Sequence, residues 1–238
     1  MTDLAKLVAQ RGLHLQLHET TQSQAQWLAT RTARALHEAL QQRGRASLAL
    51  SGGRSPIPLL QALNCLQLAW EKIGITLVDE RWVALDHADS NAGLLWRHMP
   101  AVMPRVQWLP LYHGVSAQQD AEISSEALRD WQPLDVVVLG MGSDGHTASL
   151  FPGADNLAQL LAPDAPALCM PSLSSGGAQR LTLTGAALHS ARLQLLAISG
   201  EDKASTLAAA LAGQQPQWPI SAFLRPPLQI AYSASASR

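Results

Sequence analysis

Short apolar runs alternating with amphipathic helical stretches predict an α/β protein built on a mainly parallel sheet, with helices over both faces. Two observations carry that expectation. Val136–Leu139 is an unbroken apolar run, the mark of a strand buried on both faces, and it leads directly into the turn Gly140-Met-Gly-Ser-Asp-Gly145. Residues 47–50, 75–78 and 192–198 repeat the arrangement, each an apolar run followed by a small-residue or charged turn. Loops that follow parallel strands share the carboxyl edge of the sheet, where open α/β sheets hold their ligands. A length of 238 residues suits a single domain over 1–238, and no internal repeat or linker divides it.

Taken in order, Leu13, Leu15 and Leu17 alternate with His14, Gln16 and His18, which reads as a half-exposed strand with two solvated histidines on its outer face. Residues 22–43 carry Leu28, Ala35, Leu36, Ala39 and Leu40 at helical spacing, and Gly44 supplies a stop. The strand 47–50 then runs into Ser51-Gly52-Gly53-Arg54-Ser55-Pro56. The glycines permit a tight turn, Ser55 suits a helix cap and Pro56 the first helical position. Backbone N–H groups and a positive helix end then meet at one spot, which makes an anion site, most naturally for phosphate. It is not a Walker A loop, because the Gly-Lys-Ser/Thr ending is missing.

The apolar run at 75–78 leads to Asp79, Glu80 and Arg81, charges that must be paired or functional beside a buried strand. One of the two carboxylates is expected to brace the loop in an ion pair with arginine. Asp89-Ser-Asn91 caps a helix reaching His98, and proline-punctuated chain with a short strand near 106–109 follows. Residues 118–131 form a further amphipathic helix with Ala121, Ile123, Ala127 and Leu128 partly toward the core, and Asp135 reads as structural. After Gly153 the chain is loop-like to Pro171, and the Ser/Gly-rich 172–179 reads as mobile. Residues 180–184 alternate as a strand and 192–198 form a buried one. Lys203 falls in the first turn of the last long helix, where the macrodipole disfavours a cation unless an anion lies between them. Residues 220–224 and 228–232 read as closing strands, and the tail 233–238 is expected to fray.

Bulk properties exclude several classes of function. With 17 basic against 18 acidic residues the net charge is -1, so no basic face is offered to nucleic acid. No apolar run approaches the ~18 residues that span a bilayer, and no signal peptide is read at the amino end. Cys65 and Cys169 lack metal-ligand spacing and read as buried free thiols in a reducing, cytoplasmic setting. Gly140-x-Gly142-x-x-Gly145 matches a dinucleotide fingerprint, yet the acidic residue required about 20 positions later falls in the proline-broken loop 161–166. Ser51 and Ser143 sit in no G-x-S-x-G elbow, so a nucleophilic serine is not expected. What remains at the carboxyl edge is a phosphate cradle (Ser51, Gly52, Gly53, Arg54, Ser55), Arg81, the acid–histidine pair Asp144 and His146, and Lys203. That set describes an enzyme acting on a small phosphorylated metabolite with histidine as acid–base.

Four blocks resemble the 6-phosphogluconolactonase family, within the wider glucosamine-6-phosphate isomerase/6-phosphogluconolactonase superfamily. They are Ser51-Gly-Gly-Arg-Ser-Pro56, Val78-Asp-Glu-Arg-Trp-Val83 with Asp89-Ser-Asn91, Gly140-Met-Gly-Ser-Asp-Gly-His-Thr-Ala-Ser-Leu-Phe-Pro152, and Arg180-Leu-Thr-Leu-Thr184 with Gly200-x-x-Lys203. They occur in the family's order and span 51–203, the third block being the most specific. The resemblance implies a Rossmann-like three-layer α/β/α fold with no required cofactor or metal. It implies hydrolysis of 6-phospho-D-glucono-1,5-lactone to 6-phosphogluconate, in a monomer or small homo-oligomer whose partner is the phosphorylated sugar lactone. By position, His146 is then the general base, which could later return its proton to the ring oxygen, Asp144 orients it, and Arg81 lies near the lactone. Ser51, Gly52, Gly53, Arg54, Ser55, Asp79, Arg180 and Lys203 match substrate- or phosphate-binding positions. Arg54 stands where many relatives carry Ser or Thr, and the chain after Pro219 matches loosely. The rival glucosamine-6-phosphate deaminase/isomerase carries a catalytic glutamate five residues after the histidine, where this chain has Phe151. A non-enzymatic sugar-phosphate sensor would need a DNA-binding module, and the chain before the first loop shows one amphipathic helix instead.

Overall fold

The computed structural model describes residues 2–215 and 217–235. In chain order the elements are α1 (Thr2–Gln10), β1 (His14–His18), α2 (Thr21–Arg43), β2 (Ala46–Leu50), α3 (Ile57–Asn64), β3 (Ile73–Leu77), β4 (Asp79–Arg81), α4 (Asn91–His98), β5 (Gln107–Trp108) and α5 (Ala117–Arg129). There follow β6 (Val136–Leu139), α6 (Leu157–Leu161), β7 (Cys169–Leu173), β8 (Gln179–Leu183), α7 (Gly185–His189), β9 (Leu193–Ser199), α8 (Glu201–Leu211) and β10 (Leu228–Ser233), with 3₁₀ turns at Trp70–Lys72 and Pro219–Phe223.

Seven strands form one sheet in the order β1-β10-β9-β6-β2-β3-β5, and every pairing in it is parallel. Its centre is mostly apolar: every residue of β2, β3 and β6 is buried, Ser47 and Thr76 being the polar ones, as strands covered on both faces require. Each fully buried Val or Leu there contributes about 1.5–3 kcal/mol relative to exposure. Helix α2 begins at Thr20, whose side chain accepts from Ser23 N, and ends at Gly44 in the left-handed conformation with φ 72°. Its face of Leu28, Ala29, Leu36 and Ala39 is buried. At the amino edge of the sheet Asp135 is structural, as expected. It accepts from Ser47 N at 2.9 Å, pairs with Arg43, and lies 3.5 Å from Arg192 Nε.

A second sheet, absent from the sequence reading, sits beside the first. It holds three antiparallel strands in the order β4-β8-β7, with Asp79 opposite Thr182 and Arg81 opposite Arg180. Several expectations change accordingly. Asp79, Glu80 and Arg81 are a strand of this sheet and not a loop leaving the parallel one. Residues 172–179, expected to be mobile, are the end of β7 and a turn held by Gly177 N to Ser174 O and Ser174 N to Ala178 O. Residues 220–224 form a 3₁₀ turn that buries Ile220 and Phe223, three positions apart, which is the period of that turn and not of a strand. Ser55 does not cap α3; Pro56 takes that place without a side-chain bond. His14 is exposed, as expected, whereas His18 is half-buried; both rings pack on Trp27 with centroids at 6.1 and 5.9 Å. Ile123 and Ala127 are exposed, the inner face of α5 being Ala121, Ser124, Ser125 and Leu128. Cys65 is exposed while Cys169 is buried, and burial pushes the Cys169 thiol up to about 12. Ser233 is buried at the end of β10, and of the tail expected to fray, 236–238 lie outside the described residues. Among the described residues, no helix is long and apolar enough to cross a membrane.

His189, at the end of α7, stacks on Phe223 with centroids 4.4 Å apart. Burial, with Arg225 nearby, lowers its pKa from 6.5 to about 4. Between those two values the unfolded chain takes up a proton that the folded chain refuses, so stability declines as pH falls through this window. Thermal melts from pH 7.5 to 4.5 should therefore show a smaller decline for His189→Phe than for the parent. Equal declines would remove His189 as a source of acid sensitivity.

Candidate active site

From β2 the chain moves to β3 on one side, while β6 and β9 lie on the other, so the order reverses between β2 and β6. A crevice opens at such a switch point, beyond the carboxyl ends of the strands. The loops after β2 and β6 wall it and are tied together by Ser51. Its hydroxyl donates to Val138 O at 2.8 Å and accepts from Gly140 N at 3.2 Å. Gly52 allows the close approach of Asn91: a Cβ there would lie 1.9 Å from Asn91 Cγ. Among the described residues none accepts a hydrogen bond from the backbone amides of Gly52, Gly53, Arg54 or Ser55. The amino ends of α2, α4 and α8 also reach the crevice, through Thr21, Asn91 and Lys203. Free amides and aligned helix dipoles make this end of the cleft attractive to an anion.

The cleft measures about 510 Å³. Ser51, Gly52, Gly53, Arg54, Ser55, Asp79, Arg81, His146, Arg180 and Lys203 all line it, so residues from five separated stretches of chain converge there. Asp144 stands beside His146, its Oδ1 2.6 Å from the ring Nδ1 and 3.2 Å from His146 N. Burial raises the Asp144 carboxyl, but the backbone and ring of His146 outweigh it, so the group lies below its ordinary range. The ring of His146 rests near Phe151, centroids 5.0 Å apart.

Across the cleft, Arg81 and Arg180 are direct cross-strand partners. Like charges in that relation repel. Arg81 is steadied by Asp89 O at 2.5 Å and Asn91 Oδ1 at 3.3 Å, whereas the buried Nε of Arg180 has no partner among the described residues. Burial lowers the Arg180 pKa, and the neighbouring Arg81 lowers it further. Burial likewise lowers that of Lys203, which among the described residues has no carboxylate within 4.0 Å. Cations gathered around one cleft without a carboxylate within 4.0 Å among the described residues suit an anionic ligand.

The family model for glucosamine-6-phosphate isomerases/6-phosphogluconolactonase matches residues 19–230. The chain belongs to this family. Among its relatives, a 6-phosphogluconolactonase of Pseudomonas aeruginosa is 43% identical over 232 residues, covering 95% of this chain and 98% of the relative. A 6-phosphogluconolactonase of Mesorhizobium japonicum is 46% identical over 202 residues, covering 83% and 84%. The crystal structure of a 6-phosphogluconolactonase from Shewanella baltica superposes with a TM-score of 0.88 at 34% identity, over 93% of this chain and 98% of the other. The α/β fold with a mainly parallel sheet is thereby the family's own.

Within this family fold the structure also separates Asp79 from Glu80. Glu80 is 1% exposed and accepts from Arg81 N, Asn91 N and Ala92 N at 2.7 Å each, and from Ser90 Oγ at 3.2 Å. It braces the start of α4 through backbone amides, not through the arginine pair expected. Residues not expected at the site also line the cleft: Thr21, Gln24, Ser174 and Ser199, together with Asn91 and Ser149, which lie in the family-like blocks but carried no site role there. Ser149 had a local signal, lying three residues after His146 on the same tight turn. Ser174 had none, because it reaches the cleft through the pairing of β7 with β8.

Proposed function

We propose that this chain hydrolyses 6-phospho-D-glucono-1,5-lactone to 6-phosphogluconate, the second step of the oxidative pentose phosphate pathway. The observation that carries the reading is the Asp144–His146 contact of 2.6 Å at a cleft whose other walls are arginine, lysine and unengaged amides. Held at Nδ1 by Asp144, the ring presents Nε2 as its working nitrogen. His146 takes a proton from water as the water oxygen attacks the lactone carbonyl, and Asp144 stabilises the imidazolium that forms. Arg81 faces the oxygen on which negative charge develops. Arg180, Lys203 and the 51–55 loop hold the phosphate at the other end. Phe151 stands where a deaminase/isomerase would carry its glutamate, which leaves ring-opening proton transfer without that carboxylate and favours the lactonase.

The test is hydrolysis of freshly generated lactone against its spontaneous background, with glucosamine 6-phosphate as the competing substrate. Acceleration of the first alone is expected; turnover of only the second would overturn the reading. Lys203→Ala should leave kcat near the parent value and raise KM by about 10–100-fold, the weight of a charge-assisted hydrogen bond of ~1.5–3 kcal/mol. An unchanged KM would take Lys203 out of the phosphate site.

A further inference from the structure

Asp79 and Glu80 are adjacent acids with opposite circumstances. Glu80 is surrounded by four donors, as a buried carboxylate must be. The side chain of Asp79 has one, the Ser149 hydroxyl, 2.6 Å from Oδ2. Oδ1 has no partner among the described residues, and the side chain lines the cleft beside His146. Arg81 and Arg180 flank it on β4 and β8, yet among the described residues no cationic nitrogen comes within 4.0 Å of its carboxyl. It therefore makes no direct ion pair with either arginine, although it feels the field of both. Its single donor is rigidly built: Ser149 is 0% exposed, its N–H donates to Thr182 Oγ1 at 3.3 Å, and its carbonyl accepts from Ser172 Oγ at 2.7 Å. Thr182 is in turn the cross-strand partner of Asp79, so a ladder of buried hydroxyls in the small sheet aims this one carboxyl.

We propose that Asp79 is the general acid that protonates the departing ring oxygen, with Ser149 as its positioning residue. The assignment rests on the lactonase reading. Because the Ser149 hydroxyl donates to Oδ2, a proton on the carboxyl resides on Oδ1, the oxygen left open to the cleft. Desolvation by burial favours that neutral form and outweighs the opposing Ser149 hydrogen bond and the positive fields of Arg180, His146 and Arg81. In the step itself, the C1–O5 bond breaks, its electron pair goes to O5, and the Oδ1 proton moves to O5 to give the C5 hydroxyl. His146 holds the proton taken from the attacking water and releases it to solvent, from which Asp79 is reprotonated. Base and acid are then two groups, and the attack need not wait for one imidazole to turn from water to ring oxygen.

The experiment is the pH dependence of kcat for the parent, Asp79→Asn and Ser149→Ala on the same lactone, with binding of 6-phosphogluconate measured in parallel. If the parent does not accelerate hydrolysis, the functional reading fails and the acid with it. Given an active parent, Asp79→Asn should lose about a hundredfold or more in kcat, keep its affinity for 6-phosphogluconate within threefold or so, and lose the alkaline limb of the profile. Ser149→Ala should keep the limb but move it to higher pH, because the carboxylate loses its only donor. An Asp79→Asn enzyme whose KM rises while kcat and the limb persist would make Asp79 a hydroxyl-binding group and overturn the proposal. So would a limb that survives in Asp79→Asn at reduced kcat, which would return the proton transfer to His146.

Discussion

Replacing His146 with Ala should lower kcat by about 10²–10⁴-fold with little change in KM. The side chain lines the cleft, and in the proposed reaction it acts on the attacking water and not on the phosphate, so its loss removes proton transfer and leaves most of the binding in place. Asp144 accepts from the ring and from the backbone of residue 146. Without the imidazole its carboxylate keeps the backbone donor, so the loop should hold its shape. Steady-state kinetics of purified His146→Ala beside the parent, each corrected for spontaneous hydrolysis, measures the effect. A variant that accelerates as well as the parent would mean that another group is the base. A variant with normal kcat and a raised KM would move His146 to the binding side of the ledger.

A single methyl group at position 142 should be almost as damaging. A Cβ on Gly142 would lie 2.2 Å from His146 Nδ1, 2.3 Å from Cε1 and 2.5 Å from Asp144 Oδ1. Real carbon atoms do not approach so closely, and the neighbours are side-chain ends that can move, so the strain is relieved by displacing the two catalytic groups. Misplacement of about 1 Å is enough for a loss near 10²-fold in rate. Gly142→Ala is therefore expected to lose about that much kcat while its melting temperature and its affinity for 6-phosphogluconate stay near those of the parent. Full activity would show that the dyad tolerates the shift and that the 2.6 Å contact is not needed for turnover.

Much of the parallel sheet was legible because its strands are buried on both faces and so carry unbroken apolar runs, as in Val136–Leu139 and residues 47–50. The small antiparallel sheet was not, for the opposite reason. β4 is three charged residues, Asp79, Glu80 and Arg81, and β7 contains Pro171, so neither has a strand's periodicity. Both are strands only because β8 lies between them, a relation that no local stretch encodes. The site divides in the same way. Gly-Ser-Asp-Gly-His is dense enough in turn and titratable residues to mark itself, and Lys203 is marked by its place at a helix start. The like-charged pair Arg81–Arg180, the fit of Asn91 over Gly52, and the hold of Ser149 on Asp79 are contacts between residues far apart in the chain. Their chemistry was visible residue by residue and their geometry was not.

The pairing of β1 with β10 joins His14 to Gln229, residues more than two hundred positions apart, and β10 in turn shields the flank of β9 from which α8 carries Lys203 into the cleft. Among the described residues β1 has no strand partner but β10, so its place in the sheet waits on chain more than two hundred positions away. Closing so long a loop is slow, and until it happens β1 offers an unpaired edge and β9 is paired on the β6 side only. The Lys203 side of the cleft is therefore expected to form last, so that the onset of ligand binding during refolding should lag the collapse of the central strands and follow the seating of β10.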